Sequence, residues 1–178
     1  MLRAGGTFLY PTDTVWGIGC DATNPEAVKK VFEIKKRDDA KSLVMLAANL
    51  DMVAKYVREI PPIAVDLVEV NDRPMTIIYP KAEKSLAANA VAQDGSVAIR
   101  IPMMEFCQKL AYKLGRPIVS TSANISGEAT PKCFADIPQE IRDAVDYIVD
   151  PALEQGSTGM ASQILKVGMG GEIEIIRK

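Results

Sequence analysis

Hydrophobic positions along the chain fall alternately into short continuous blocks and into stripes of three- and four-residue spacing, which predicts strands alternating with helices. Thr7-Phe8-Leu9-Tyr10 reads as a short strand ended by Pro11, and a polar, glycine-containing loop follows from Thr12 to Asn24. Pro25 then opens a helix where its missing N–H costs least, with Asn24 as cap and Glu26 in the first turn. Ala27, Val28, Val31, Phe32 and Ile34 form its apolar stripe. Leu43 to Leu46 is a buried-type strand, Asp51 to Val57 and Ile63 to Val70 are helical, and Met75 to Tyr79 is a strand. After a long polar and alanine-rich connection from Lys81 to Gly95, Ser96 to Ile101 forms a strand stopped by Pro102. An amphipathic helix carries Phe106, Cys107, Leu110, Ala111 and Leu114 and is closed by Gly115.

Ile118-Val119 is a further strand, running into a hydroxyl-rich loop from Ser120 to Pro131. A short helix near Gln139 to Val145 leads to a strand at Tyr147 to Val149. Ser162 to Val167 and Glu172 to Arg177 flank a glycine-rich turn and read as a terminal hairpin. No repeat, linker or low-complexity tract divides the chain, so one domain over residues 1–178 is expected, with a mixed sheet largely covered by helices.

Charge and composition narrow the chemistry. With 21 Lys+Arg against 23 Asp+Glu the chain lacks the broad basic face that duplex DNA requires, although a local basic cleft for a phosphorylated ligand or an RNA fits. At 48% hydrophobic residues a substantial core can form. The chain has no histidine, which excludes Ser-His-Asp and Cys-His devices and His-bearing zinc sites. Cys20, Cys107 and Cys133 are widely spaced and odd in number, matching neither a metal motif nor a disulfide framework, so a reducing cytoplasm is expected. No apolar stretch approaches the roughly 18 residues of a membrane span, and no membrane association is expected.

Four segments carry candidate chemistry. Lys35-Lys36-Arg37, with Lys41 close behind, suits the last turn of a helix, where cations offset the dipole; the same residues can converge on a phosphate chain. Ser120-Thr121-Ser122-Ala123-Asn124-Ile125-Ser126-Gly127 follows a strand directly, in the place where α/β folds bind ligands, and is also a composition that favours ordinary turns. In Tyr10-Pro11-Thr12-Asp13-Thr14-Val15-Trp16-Gly17-Ile18-Gly19 the glycines match a dinucleotide fingerprint only in part, and they do not open a helix, so that reading is rejected. Arg100 lies in the apolar run Val97 to Pro102 and must reach solvent or meet an anion. Arg177 fits a solvated tail and a ligand contact equally.

Together, Tyr-Pro-Thr-Asp-Thr-Val-Trp-Gly, Lys-x-Arg, Val-Ala-Ile-Arg-Ile-Pro and Ser-Thr-Ser-Ala-Asn-x-Ser-Gly, in this order and spacing from about Gly5 to about Ser162, resemble the YrdC-type threonylcarbamoyl-AMP synthases. The resemblance implies an α/β fold, a YrdC-like twisted mixed β-sheet flanked by helices around a positively charged concave cavity. It also implies formation of threonylcarbamoyl-AMP and pyrophosphate from L-threonine, bicarbonate or CO2, and ATP. Mg2+ would accompany the ATP, tRNA would be the eventual acceptor, and threonylcarbamoyl-transferase partner proteins would complete the modification. Carried over by position, the resemblance implies catalytic roles for Lys35, Arg37, Ser122 and Asn124. It adds Ser96, Thr130 and Arg177 on the ATP side, and Thr12, Arg100, Ser120 and Ser162 on the threonine side, with Arg100 suited to the carboxylate.

The sequence departs from the family pattern at Asp38-Asp39, where many members carry proline, and at Ala161-Ser162-Gln163, where Glu-Ser-Thr is more usual. The short lead before the first strand suggests that part of a natural N-terminus is missing, and the length fits a short, bacterial-type member without an extra C-terminal domain. Rival readings are a non-catalytic paralogue that binds double-stranded RNA or tRNA electrostatically, and a carbamoyl-transfer domain like that inside hydrogenase maturation proteins. The latter sit in longer chains with cysteine-rich zinc modules, which this sequence lacks.

Overall fold

The computed structural model describes residues 1–38 and 43–178. The expectations for Asp39 and Lys41 lie outside the described residues. Ten strands form two mixed sheets among these residues. In the smaller sheet β1 (Phe8–Tyr10) pairs antiparallel with β2 (Gly17–Gly19) and parallel with β8 (Tyr147–Ile148), while β7 (Thr121–Ser122) closes the other side of β2. The larger sheet contains β3 (Val44–Leu46), β4 (Met75–Tyr79), β5 (Val97–Arg100), β6 (Ile118–Val119), β9 (Gln163–Val167) and β10 (Ile173–Arg177). Its order is β10-β9-β4-β5-β3-β6.

Two differences from the sequence expectation stand out. The stretch from Thr12 to Asn24, expected as loop, contains β2, and the hydroxyl-rich segment after Val119 contains β7. Both strands are too short, at three and two residues, for alternation to register, and both exist because long-range partners complete their ladders. Gly19 explains part of the glycine pattern: a Cβ there would sit 2.7 Å from the Val119 carbonyl oxygen and 2.6 Å from the Tyr10 ring. The glycines therefore serve close strand packing, in agreement with rejecting a dinucleotide loop.

Period-two alternation sorts the larger sheet's side chains. Met45, Ile77, Tyr79, Val97, Ile99 and Leu165 are buried in the apolar core. The residues between them, among them Val44, Ile78, Ala98, Arg100 and Ile164, face a cavity.

The expected helices form: α1 (Pro25–Lys35), α2 (Leu50–Tyr56), α3 (Pro62–Glu69), α4 (Glu105–Leu114) and α5 (Gln139–Ala144). The Asn24 side chain accepts from the Glu26 and Ala27 backbone N–H groups, satisfying two donors that the first turn leaves open. Gly115 ends α4 in the left-handed conformation at φ 75°, where an L side chain would be strained. Among the described residues no helix is long and apolar enough to cross a membrane.

Candidate functional site

A cavity of about 370 Å³ opens between the cavity face of the larger sheet and the β1–β2–β7 region. Strand register builds its floor. Arg100 pairs with Thr76, Thr76 with Ile164, and Ile164 with Arg177, so one row across four strands carries an arginine at each end. A bulge between Ile175 and Arg177 inserts an unpaired Ile176, and Ile176 and Arg177 both reach the cavity wall. Arg177 Nε donates to the Ser162 carbonyl oxygen at 2.8 Å, and the Ser162 hydroxyl meets the Thr76 hydroxyl at 2.7 Å. Burial and the nearby positive charge of Arg100 lower the pKa of Arg177.

The opposite wall comes from the end of α1 and the segment around β7. Helix α1 stops with Lys36 in the left-handed region at φ 50°. Its N–H reaches the Glu33 carbonyl at 3.1 Å and the Arg37 N–H reaches the Phe32 carbonyl at 3.0 Å, the paired bonds of a Schellman ending. This turn separates two neighbouring cations. Lys35 stays buried, and Arg37, whose guanidinium lies 5.9 Å from the Phe32 ring centroid, lines the cavity.

Lys35 Nζ donates to the carbonyl oxygens of Ser122 at 2.6 Å and Asn124 at 2.8 Å, and to Asn124 Oδ1 at 3.3 Å. Burial first, and the Arg37 charge second, push its pKa down to about 8. Asn124 in turn accepts from the Ser122 hydroxyl and donates through Nδ2 to the Glu128 carbonyl at 2.8 Å. The loop is thus folded around one ammonium, with Ser120 and Ser122 presented to the cavity.

Of the residues singled out in the sequence, Arg37, Arg100, Ser120, Ser122, Thr130, Ser162 and Arg177 line this one cavity. Lys35 and Asn124 stand directly behind Ser122. Thr12 is buried behind the wall, donating to the Val15 carbonyl at 2.7 Å and accepting from the Thr14 N–H at 3.1 Å; it is Thr14 that faces the cavity. Ser96 immediately precedes β5, at the end opposite Arg100, and is not among the lining residues; its hydroxyl donates to Asp94 at 2.6 Å.

Sequence reasoning missed two contributors. Trp16 lies on the cavity wall, its indole N–H donating to Glu154 at 2.6 Å and its ring 5.0 Å from Phe134. Asp13 is the anion that Arg100 meets, in a buried ion pair. The signal was available for Asp13: a lone arginine in an apolar run requires a buried partner, and Asp13 is the acidic residue in the motif after β1.

Arginines on three sides and hydroxyls between them suit a ligand with several negative charges, in a site without a histidine, a cysteine or a metal cluster of His/Cys/Asp/Glu among the described residues. This fold and lining define the class: residues 1–178 match the Sua5/YciO/YrdC family model, whose description reads "Telomere recombination", and the chain belongs to that family. It is 33% identical over 175 residues to the threonylcarbamoyl-AMP synthase of Pseudoalteromonas translucida, covering 97% of this chain and 91% of that one. The synthase of Idiomarina loihiensis is 32% identical over 166 residues, with 91% and 86% covered. A solved structure of P. abyssi Sua5 complexed with L-threonine aligns with a TM-score of 0.84 at 29% identity over 93% of this chain. The chain spans about half of that longer protein, 48% of its length.

Proposed function

We propose that this chain is a threonylcarbamoyl-AMP synthase, acting on L-threonine, bicarbonate or CO2, and ATP. The observation that carries the reading is the convergence of Arg37, Arg100 and Arg177 with the Ser120 and Ser122 hydroxyls on one cavity. The threonine amine adds to the carbon of CO2, forming a C–N bond and releasing a proton to give a carbamate. A carbamate oxygen then attacks the α-phosphorus of ATP, and the bond to the β-phosphate breaks with pyrophosphate as leaving group. Both reactants are anionic, so the protein's task is to offset charge and align the attack. Arg37 and Arg177 border the nucleotide's phosphates in this reading, Ser122 orients them, and Lys35 with Asn124 holds Ser122 in place. Arg100, beside Ser120 and Ser162, takes the amino-acid end.

The hydroxyl oxygens of Ser120, Ser122 and Thr130 are hard ligands compatible with magnesium, which would come with ATP and would offset the charge of its phosphates. The product would pass to partner proteins that modify tRNA, a role that fits a cytoplasmic protein.

The test is pyrophosphate release by the purified chain with ATP, Mg2+ and bicarbonate, with and without L-threonine. Release that requires both threonine and bicarbonate, together with an adenylate product, is expected. A folded chain that releases none would overturn the reading.

A further inference from the structure

Asp13 lies in the turn after β1 and is 6% exposed; Arg100 ends β5 and is 3% exposed. They belong to different sheets, and their ion pair joins the two across the floor of the cavity. Both Asp13 oxygens are engaged, Oδ1 by Arg100 Nη1 and Oδ2 by the Met103 N–H at 3.0 Å. The other tip of the guanidinium, Nη2, donates to the Thr14 hydroxyl at 3.3 Å. The turn itself is anchored from behind, because the Thr158 N–H donates to the Asp13 carbonyl at 3.0 Å and the Gly159 N–H to the Thr14 carbonyl at 2.8 Å. Arg100 lines the cavity, whereas Asp13 does not.

We propose that Asp13 is a positioning residue that sets substrate selectivity: it fixes the plane of the Arg100 fork, so that this arginine recognises a carboxylate on the amino-acid substrate. The inference rests on the synthase reading above and extends it to a residue that does not touch substrate. A guanidinium carries five donors in a rigid fork, and its value for a planar carboxylate depends on the fork being held in one orientation. An untethered arginine here would also be drawn to the phosphates that the cavity's other two arginines border. By holding Arg100 at both tips, Asp13 and Thr14 keep the amino-acid end separate from the nucleotide end. A buried arginine without Asp13 would also carry an uncompensated charge, which is costly.

The test compares L-threonine with L-threoninamide, in which a neutral amide replaces the carboxylate, as substrates for pyrophosphate release by the full chain. Wild type is expected to prefer threonine by about a hundredfold or more in kcat/KM, as sites built to pair a polar group reject analogues lacking it. In Asp13→Asn that preference is expected to fall at least about tenfold, with KM for threonine raised and KM for ATP within about twofold of wild type. Because Asp13→Asn removes a buried charge and can fail to fold, Arg100→Lys provides a second reading: it keeps the charge and loses the fork, and the same collapse of preference is expected. A preference left intact in a folded Asp13→Asn, or in Arg100→Lys, overturns the inference, as does an equal loss with both substrates. Wild type without threonine-dependent release would instead overturn the synthase reading beneath it.

Discussion

Among the described residues Lys35 is a cation with no carboxylate among its hydrogen-bond partners, held by three oxygens of the Ser122–Asn124 loop. Burial lowers its pKa to about 8 from 10.5, so stability and activity must respond to alkali in opposite senses. Between these two values the unfolded chain holds a proton that the folded chain has released. Unfolding therefore takes up protons, and the contribution of this site to stability rises with pH across that window. The loop, however, is organised by the charged ammonium, and turnover is expected to fall above pH 8, approaching about tenfold per pH unit. A pH profile of pyrophosphate release beside thermal melts at the same pH values checks both signs. Lys35→Met should remove the alkaline limb and reduce turnover by about a hundredfold, the scale of loss when the loop that presents Ser122 shifts by about an ångström.

The elements around that residue show which parts of the fold were legible. Helix α1 could be placed because every signal is local: Asn24 as cap, Pro25 in the first turn, a stripe at helical spacing, and cations at the end. Its cap predicts a cost. Asn24→Ala leaves the Glu26 and Ala27 donors without the side-chain oxygen they now meet at 3.0 and 3.1 Å. A loss of about 1 kcal/mol is expected, or roughly 2–4 °C in Tm, measured by denaturation of the two proteins side by side. β2 and β7 were not legible, because nothing within Gly17-Ile18-Gly19 or Thr121-Ser122 signals a strand until Tyr10 and Gly17 supply partners from elsewhere in the chain. Division into two sheets was hidden for the same reason, being a property of pairing between distant segments.

At the scale of the whole molecule, the cavity is where those distant segments meet. Its hydroxyls and cations could be nominated from sequence motifs, but their grouping depends on register: Arg100 and Arg177 share a row only because β5, β4, β9 and β10 pair as they do. Ser96 and Thr12 carry the same kinds of polar group and lie off the wall, one engaged by Asp94 and the other by Val15 and Thr14. A ligand that contacts walls drawn from both sheets couples them, so its binding should raise the stability of the chain as a unit. For a ligand present at a hundred times its Kd, linkage gives about 2.7 kcal/mol, which for a chain of this size amounts to roughly 5–10 °C in Tm. A non-hydrolysable ATP analogue with Mg2+ is expected to produce a rise of that order. Arg177→Ala should reduce the rise by weakening binding while leaving the ligand-free melt nearly unchanged, since Arg177 belongs to the exposed terminal strand. An equal rise in both proteins would place the triphosphate away from Arg177. A rise abolished together with a lower ligand-free melt would make Arg177, through its bond to Ser162, a support of the hairpin.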